Sequence, residues 1–207
     1  MWDRHWCRGA VERAAAMAPA FNAAIHAARS RGAVIVHAPS DTTGFYKDHP
    51  ARLSILKIPK VSPPEPMPHE DPPLPIDDSD GGGDTGDPPL TKPYPWTRQM
   101  AALDIDSEKD FISESGIEIY SLFKSRGIQN MLMMGVHTNM CVLNRPFAIK
   151  AMVRWGFDVF LCRDLTDAMY NPAMRPYVSH EEGTALVIEY IEKFWCASIL
   201  SRDLQSK

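Results

Sequence analysis

The apolar residues of this 207-residue chain fall into two alternating kinds of run. Some recur every three or four positions, which is typical of a helix with one buried face. Others are short, unbroken and rich in β-branched residues, which is typical of buried strands. The spacing predicts helices over residues 8–31, 113–126, 142–155 and 181–194, and strands over residues 33–37, 103–105, 128–134, 157–162 and 197–200. Pro19 predicts a kink or a break in the first helix.

Strands that alternate with helices at this spacing predict a mostly parallel sheet built from βαβ units. The expected fold class is α/β, and residues 1–207 are expected to form one domain. Ligands bind such sheets outside the carboxyl ends of the strands. Four stretches collect at that edge, namely residues 39–41, the segment after residue 105, the turn before Cys141, and residues 163–167.

A long insertion interrupts the pattern at about residues 48–95. It holds 13 of the 18 prolines and then a run of aspartates and glycines from Asp77 to Asp87. A turn of helix near residues 53–58 is the only regular element expected there. The acidic run lacks the closing Glu of a calcium-binding loop, so a solvated, flexible loop is predicted.

Charge and cysteine content narrow the functional classes. The net charge is −4 and no basic stripe is present, which disfavours nucleic-acid binding. No apolar run reaches the roughly 18–20 residues of a membrane span. The four cysteines show neither a CxxC pair nor metal-ligand spacing, which favours free thiols in a reducing compartment. A cytoplasmic protein without membrane partners is expected, with an export signal on a longer upstream form left open.

Cys141 is the most informative residue, because it follows a strand and a tight turn. The apolar run ending at Met134 is stopped by Gly135, and Cys141 then opens an amphipathic segment. The N-terminus of a helix offers free backbone N–H groups and a partial positive charge, which favour a thiolate and can hold an oxyanion. A buried structural cysteine at a strand–helix junction is the alternative.

The stretch GVHTNMCV, followed by a helix, a strand and RDLTD, resembles the isochorismatase-like superfamily of cysteine hydrolases. The pattern is carried by Gly135, Val136, Thr138, Cys141, Val142 and Asp164. The resemblance implies a three-layer α/β/α fold with a mostly parallel six-stranded sheet. It also implies that Cys141 attacks an amide carbonyl to give a thioester. It further implies a cis peptide bond between Val136 and His137, and an oxyanion hole made by the N–H groups of His137 and Cys141.

The general base of this superfamily is an Asp at the end of the first strand. No strand precedes the opening Met1-Trp2-Asp3, so the base would lie immediately before Met1. We therefore expect that the chain is N-terminally truncated and lacks both the first strand and the base. Asp3 is the carboxylate nearest to the expected position and the only substitute considered.

The family also uses a lysine a few residues before a Phe. Lys109 lies two residues ahead of Phe111 and is the candidate catalytic lysine, although it is not in register. Asp104 or Asp106 falls nearer to the expected position. Arg98 and Lys92 are alternative sources of the positive charge.

Further residues are candidates for the pocket or for a metal. The pocket is expected to include Asp41, Trp96, Arg98, Thr138 and Arg145. Metal-binding relatives use Asp-x-His after the second strand and a later His. Asp41 matches the Asp, Thr43 stands where the first His is expected, and His69 lies in a plausible region for the later ligand. Other possible ligands are His37, His49 and Glu70. Zn²⁺ needs three protein ligands, so no cofactor is expected and a divalent metal is the weaker alternative.

These observations favour a cysteine hydrolase that cleaves a C–N bond of a small amide. A catalytically impaired homologue that binds a small ligand, or acts only in assembly, is the alternative. A redox thiol is less favoured, because no resolving cysteine is evident. The resemblance is also compatible with a homo-oligomer.

Overall fold

The computed structural model describes residues 1–88 and 90–204. The helices are α1 (Arg8–Ser30), α2 (Pro50–Leu56), α3 (Gly116–Arg126), α4 (Ile149–Arg154) and α5 (His180–Phe194). The strands are β1 (Val36–His37), β2 (Phe111–Ile112), β3 (Asn130–Val136), β4 (Asp158–Asp167) and β5 (Ala197–Ile199). A π-helical turn spans Thr138–Val142. Across these described ranges, no helix is both long and apolar enough to cross a membrane.

All pairs between the named strands are parallel, which confirms the α/β fold class. β1 pairs with β2, and Val36 lies opposite Phe111. β3, β4 and β5 pair in that order. The resemblance implied one six-stranded sheet, whereas the described residues form a pair and a triplet of strands. A cavity separates β1 from β3.

Helices cover both faces of the strand triplet. Phe21 of α1 belongs to the apolar cluster that Leu132 and Met134 of β3 join. Met131 and Met133 join the larger cluster on the other face, which contains the buried residues of α3, α4 and α5. Because successive side chains of a strand point to opposite faces, these contacts define three layers, α/β/α.

β4 is longer than its predicted extent. Residues 163–167 were predicted to follow this strand, and that prediction was wrong because they belong to it. The pairing with β3 shifts between Met133 and Gly135, so a bulge takes up additional residues of β4. Asp164 therefore lies inside the strand, and Asp167 ends it at the edge where β3 also ends.

Three further predictions differ from the structure for local reasons. The helix predicted over residues 142–155 is interrupted because Pro146 has no N–H to continue it, and α4 starts only at Ile149. No strand forms at residues 103–105, since Leu103 instead packs against α1. α1 runs without a break through Pro19.

The Asp/Gly run of the insertion is docked, so the prediction of a solvated loop was wrong. Asp84 pairs with Arg13 of α1 at 2.6 Å, and Asp78 accepts a hydrogen bond from Asn139 at 2.7 Å. The acidic side chains thus find cationic and amide partners on α1 and on the turn that carries Cys141. Earlier in the insertion, the observed helix α2 overlaps the turn of helix that was predicted near residues 53–58 and begins at Pro50.

Candidate active site

Cys141 lies in the π-helical turn that directly follows β3. The N–H of Val142 donates to the carbonyl of His137, five residues earlier, at 3.1 Å. The peptide bond between Val136 and His137 is cis, and Thr138 is fully buried in the same turn. The Cys141 side chain is half-buried and lines the cavity between β1 and β3. This turn therefore presents a thiol to a cavity at the carboxyl end of a strand.

Arg145 brings a positive charge to this thiol. Its guanidinium donates a hydrogen bond to Asp41 at 2.9 Å and also interacts favourably with Cys141. Burial lowers the pKa of Arg145, but the interactions with Cys141 and Asp41 outweigh burial, so its pKa is raised. A neighbouring cation favours a thiolate over a thiol. Two residues predicted for the pocket, Asp41 and Arg145, are thus joined beside Cys141.

Glu114 completes this polar group, and the sequence reasoning missed it. Its carboxylate accepts hydrogen bonds from the N–H of Asp41 and, at 2.6 Å, from the hydroxyl of Thr43. Asp41 has a φ of 64°, a left-handed conformation that costs a residue with a Cβ about 1–2 kcal/mol. Glu114 lies just beyond the carboxyl end of β2, so the strand-end rule could have identified it.

Trp96 belongs to an aromatic stack next to His137, which directly precedes the π-helical turn that carries Cys141. Its ring lies 4.2 Å from Trp2 and 5.6 Å from His5, and His5 lies 4.6 Å from the ring of His137. Burial lowers the pKa of His5 to about 4 and, together with nearby positive charges, lowers that of His137. Both imidazoles are therefore neutral at neutral pH. Within the described residues, the buried indole N–H of Trp96 has no hydrogen-bond partner.

The structure does not bring Lys109 to Cys141. Lys109 precedes β2, so it lies at the amino edge of the strands, whereas Cys141 follows the carboxyl end of β3. Its ammonium group is exposed and lies 3.5 Å from Asp106. The guanidinium of Arg98 lies 5.5 Å from the centre of the Phe45 ring. Arg145, and not Lys109, is the cation that interacts with Cys141.

The two candidate metal ligands lie at different edges of the fold. Asp41 follows β1 and pairs with Arg145. His69 stacks on Trp195 at 4.2 Å, and Trp195 precedes β5 at its amino end. Over residues 1–88 and 90–204, no group of three or more His, Cys, Asp or Glu is arranged to hold a metal ion. The pairing of Asp41 with His69 is therefore not supported.

Asp3, which was considered as a substitute base, is already engaged. It accepts hydrogen bonds from the N–H and hydroxyl of Thr97, at 2.8 and 2.6 Å, and from the N–H of Arg98 at 3.2 Å. Burial favours the neutral acid, but these hydrogen bonds outweigh burial and lower the pKa of Asp3. A carboxylate with a lowered pKa and three donors is a poor proton acceptor.

Comparison with known proteins gives a likeness in fold. No family model matches the sequence, and no curated protein does so either. A solved cysteine hydrolase from Pseudomonas syringae pv. phaseolicola 1448A superposes with a TM-score of 0.56. The likeness covers 91% of this chain and 78% of that chain at 15% identity. At this identity the likeness concerns the fold alone, and the chain has the α/β fold of that cysteine hydrolase.

Proposed function

We propose that this protein is a cysteine hydrolase that cleaves a C–N bond of a small amide through a thioester on Cys141. The position of Cys141 carries the proposal: it is half-buried in the turn after β3, beside the guanidinium of Arg145. The other thiols are less suited to nucleophilic attack. Cys7 is buried, and burial raises the pKa of Cys162 and of Cys196 to about 12.

In the proposed reaction, the thiolate of Cys141 attacks the carbonyl carbon and the π electrons move to the oxygen. The N–H groups of His137 and Cys141 hold this oxyanion. The C–N bond then breaks, and the leaving amine takes the proton that a general base removed from the thiol. Water hydrolyses the thioester to a carboxylic acid and restores the thiol.

One observation favours a second candidate, a homologue that binds a small amide without hydrolysing it. Asp3, which the sequence suggested as a substitute base, is held by Thr97 and Arg98 and is a poor base. This candidate predicts that amides raise the melting temperature while no product forms.

The decisive experiment offers the protein a panel of small carboxamides and N-carbamoyl compounds. We expect ammonia or amine release, and an acyl adduct on Cys141 in acid-quenched mass spectra. Cys141→Ala should lower turnover by at least about 10³-fold, because it removes the nucleophile. Cys196→Ala is the matched control and should retain the rate. Binding without release or adduct across the panel supports the second candidate and contradicts hydrolysis.

Arg145→Ala is expected to slow alkylation of Cys141 by iodoacetamide about three- to tenfold at pH 7. In water, a cation about 4 Å from an anion stabilises it by about 1 kcal/mol. Arg154→Ala is the control, since Arg154 lies over the ring of Trp195 and not beside Cys141. An unchanged rate in Arg145→Ala would show that Arg145 does not activate the thiol.

A further inference from the structure

Four charged side chains meet where the Asp/Gly run docks on the end of β4. Arg13 of α1 donates to Asp84 at 2.6 Å and to Asp167 at 2.9 Å. His180 of α5 reaches the same two carboxylates: its Nε2 lies 2.9 Å from Asp167, and its Nδ1 lies 3.3 Å from Asp84. We call these four residues the charge quartet. The quartet joins three elements of the fold to the run.

The partners of the His180 ring indicate that both of its nitrogens carry a proton. Nε2 faces the carboxylate of Asp167, and Nδ1 faces the carbonyl oxygen of Tyr170 at 2.9 Å. Both of these oxygens can only accept hydrogen bonds, so the two contacts are hydrogen bonds only when each ring nitrogen donates. The ring is then an imidazolium, and the charge quartet holds two positive and two negative charges.

The surroundings of His180 favour this proton on balance. Burial lowers the pKa of His180, but the hydrogen bond to Asp167 and the charge of Asp167 outweigh burial and the charge of Arg13, so the pKa is raised. The neutral ring of His137 is close enough to interact with His180. His180 begins α5, whose amino end disfavours a cation, but the first turn of α5 also carries two glutamates.

Loss of one proton from His180 weakens the contact with the run rather than the contact with β4. A neutral imidazole donates from one nitrogen only, and the carboxylate of Asp167 is a stronger acceptor than the carbonyl of Tyr170. The remaining proton therefore stays on Nε2, and the lone pair of Nδ1 faces the oxygens of Tyr170 and Asp84. The quartet then holds one positive charge against two negative ones. Both carboxylates are 10% exposed, so little water is present to screen this imbalance.

The Asp/Gly run connects the charge quartet to the turn that carries Cys141. Asp78 of the run accepts a hydrogen bond from Asn139 of that turn at 2.7 Å. Thr85 and Asp87 of the run accept hydrogen bonds from backbone N–H groups at the start of α1. The run is therefore held at several points, and a weaker contact at Asp84 loosens it without expelling it.

We propose that His180 is a pH-sensitive latch, which in its doubly protonated form holds the Asp/Gly run against the turn that carries Cys141. Loss of one proton loosens the run. Because the pKa of His180 is higher in the folded protein than in the unfolded chain, the latch contributes its full stability below about pH 6.5. That contribution is lost as the pH rises through the pKa of the folded protein. The latch is independent of the proposed hydrolysis, since it needs no substrate.

The test follows hydrogen exchange in peptides covering residues 77–87 of the full chain between about pH 5.5 and pH 9. Exchange is expressed as protection factors, which remove the intrinsic dependence of exchange on pH. His180→Gln replaces the titrating ring by a neutral amide. His26→Gln is the matched control: His26 also lies 2.9 Å from a carboxylate, that of Asp104, but both side chains are more than half exposed.

We expect the protection of the run in the wild type and in His26→Gln to fall at least about fivefold as the pH rises, with a midpoint above about 6.5. His180→Gln should show low protection at every pH, because its amide brings no positive charge to Asp84. Constant protection of the wild type across this range overturns the proposal. A fall that persists in His180→Gln, or one that is lost in His26→Gln, assigns the titration to another group and also overturns it.

Asp84→Asn keeps the proposal testable if His180→Gln does not fold. This variant leaves His180 its contacts with Asp167 and Tyr170, but its neutral amide can donate to Nδ1 once that nitrogen loses its proton. Protection of the run should therefore no longer change with pH. A dependence on pH equal to that of the wild type would contradict the latch. All of these measurements are made without substrate, so a failure to hydrolyse amides does not affect their outcome.

Discussion

Asp110→Asn is expected to lower the free energy of unfolding by about 3–5 kcal/mol, because it removes one partner of a buried ion pair. Asp110 is only 1% exposed. Arg29 donates two hydrogen bonds to its carboxylate, at 3.0 and 2.6 Å, and Nε2 of His37 lies 3.1 Å from it. A neutral amide at this position leaves the guanidinium of Arg29 without its counter-charge. Urea unfolding at pH 7 measures the loss.

Asp104→Asn is the matched control, since it also breaks a contact between α1 and the segment ahead of β2. Asp104 lies 2.9 Å from His26, but the two side chains are 60% and 57% exposed. Exposed pairs contribute about 0–1 kcal/mol, so this variant should be nearly as stable as the wild type. Equal losses for the two variants would contradict the ranking by burial.

The effect of Asp110→Asn should also depend on pH. Burial raises the pKa of Asp110, but the hydrogen bonds from His37 and Arg29 outweigh burial and lower the pKa to about 2. The unfolded chain, with an ordinary pKa of about 3.9, therefore binds this proton more readily than the folded protein. The carboxylate contributes its full stability above about pH 5 and loses it as the pH falls towards 2. A gap between wild type and variant that stays constant down to about pH 2 would contradict this account.

This ion pair has a consequence for the candidate active site. Asp110 joins α1, through Arg29, to β1, through His37. These elements form one wall of the cavity between β1 and β3, which Cys141 also lines. The contacts of Asp110 with Arg29 and His37 therefore hold α1 against β1 next to this cavity. Asp110 itself directly precedes β2.

The sequence predicted the local parts of the site better than the parts assembled from distant segments. The turn after β3 is coded within a few consecutive residues, because β3 ends at Val136 and the turn that carries Cys141 follows directly. The contact between Asp41 and Arg145 joins residues more than 100 positions apart. No local periodicity encodes such a pair, so both residues were predicted for the pocket but their pairing was not.

The Asp/Gly run shows why composition alone gave the wrong prediction of a solvated loop. Aspartates and glycines favour exposed loops when nothing else is known. Asp84 instead pairs with Arg13, and Arg13 also donates to Asp167 at the end of β4. Burying carboxylates costs free energy, and this cost is offset only when cationic or amide groups of other elements pair with them. The spacing of residues in the sequence does not predict these contacts between distant segments. It also does not predict that β1 and β3 belong to separate groups of strands with a cavity between them.

The docked Asp/Gly run also contacts the backbone of Met169, which is hydrogen-bonded to the turn that carries Cys141. Asn139, two residues before Cys141, accepts a hydrogen bond from the N–H of Met169 at 2.8 Å and donates one to its carbonyl at 3.0 Å. Gly82 packs on the same backbone: a Cβ there would lie 2.3 Å from the oxygen of Met169. Because Gly82 has no side chain, the Asp/Gly run can pack against the backbone of Met169, which is hydrogen-bonded to Asn139.

Gly82→Ala is therefore expected to lower the free energy of unfolding by about 2–5 kcal/mol. Overpacking a close contact costs roughly 1–3 kcal/mol, and a residue with a Cβ at the observed φ of +71° adds about 1–2 kcal/mol. Gly86→Ala is the control, because Gly86 has a similar φ of +68° but no heavy atom within 4 Å of a Cβ. Gly86→Ala should lower the free energy of unfolding only by the conformational cost of about 1–2 kcal/mol. Urea unfolding of both variants separates the terms, and equal losses would show that the run does not press against Met169.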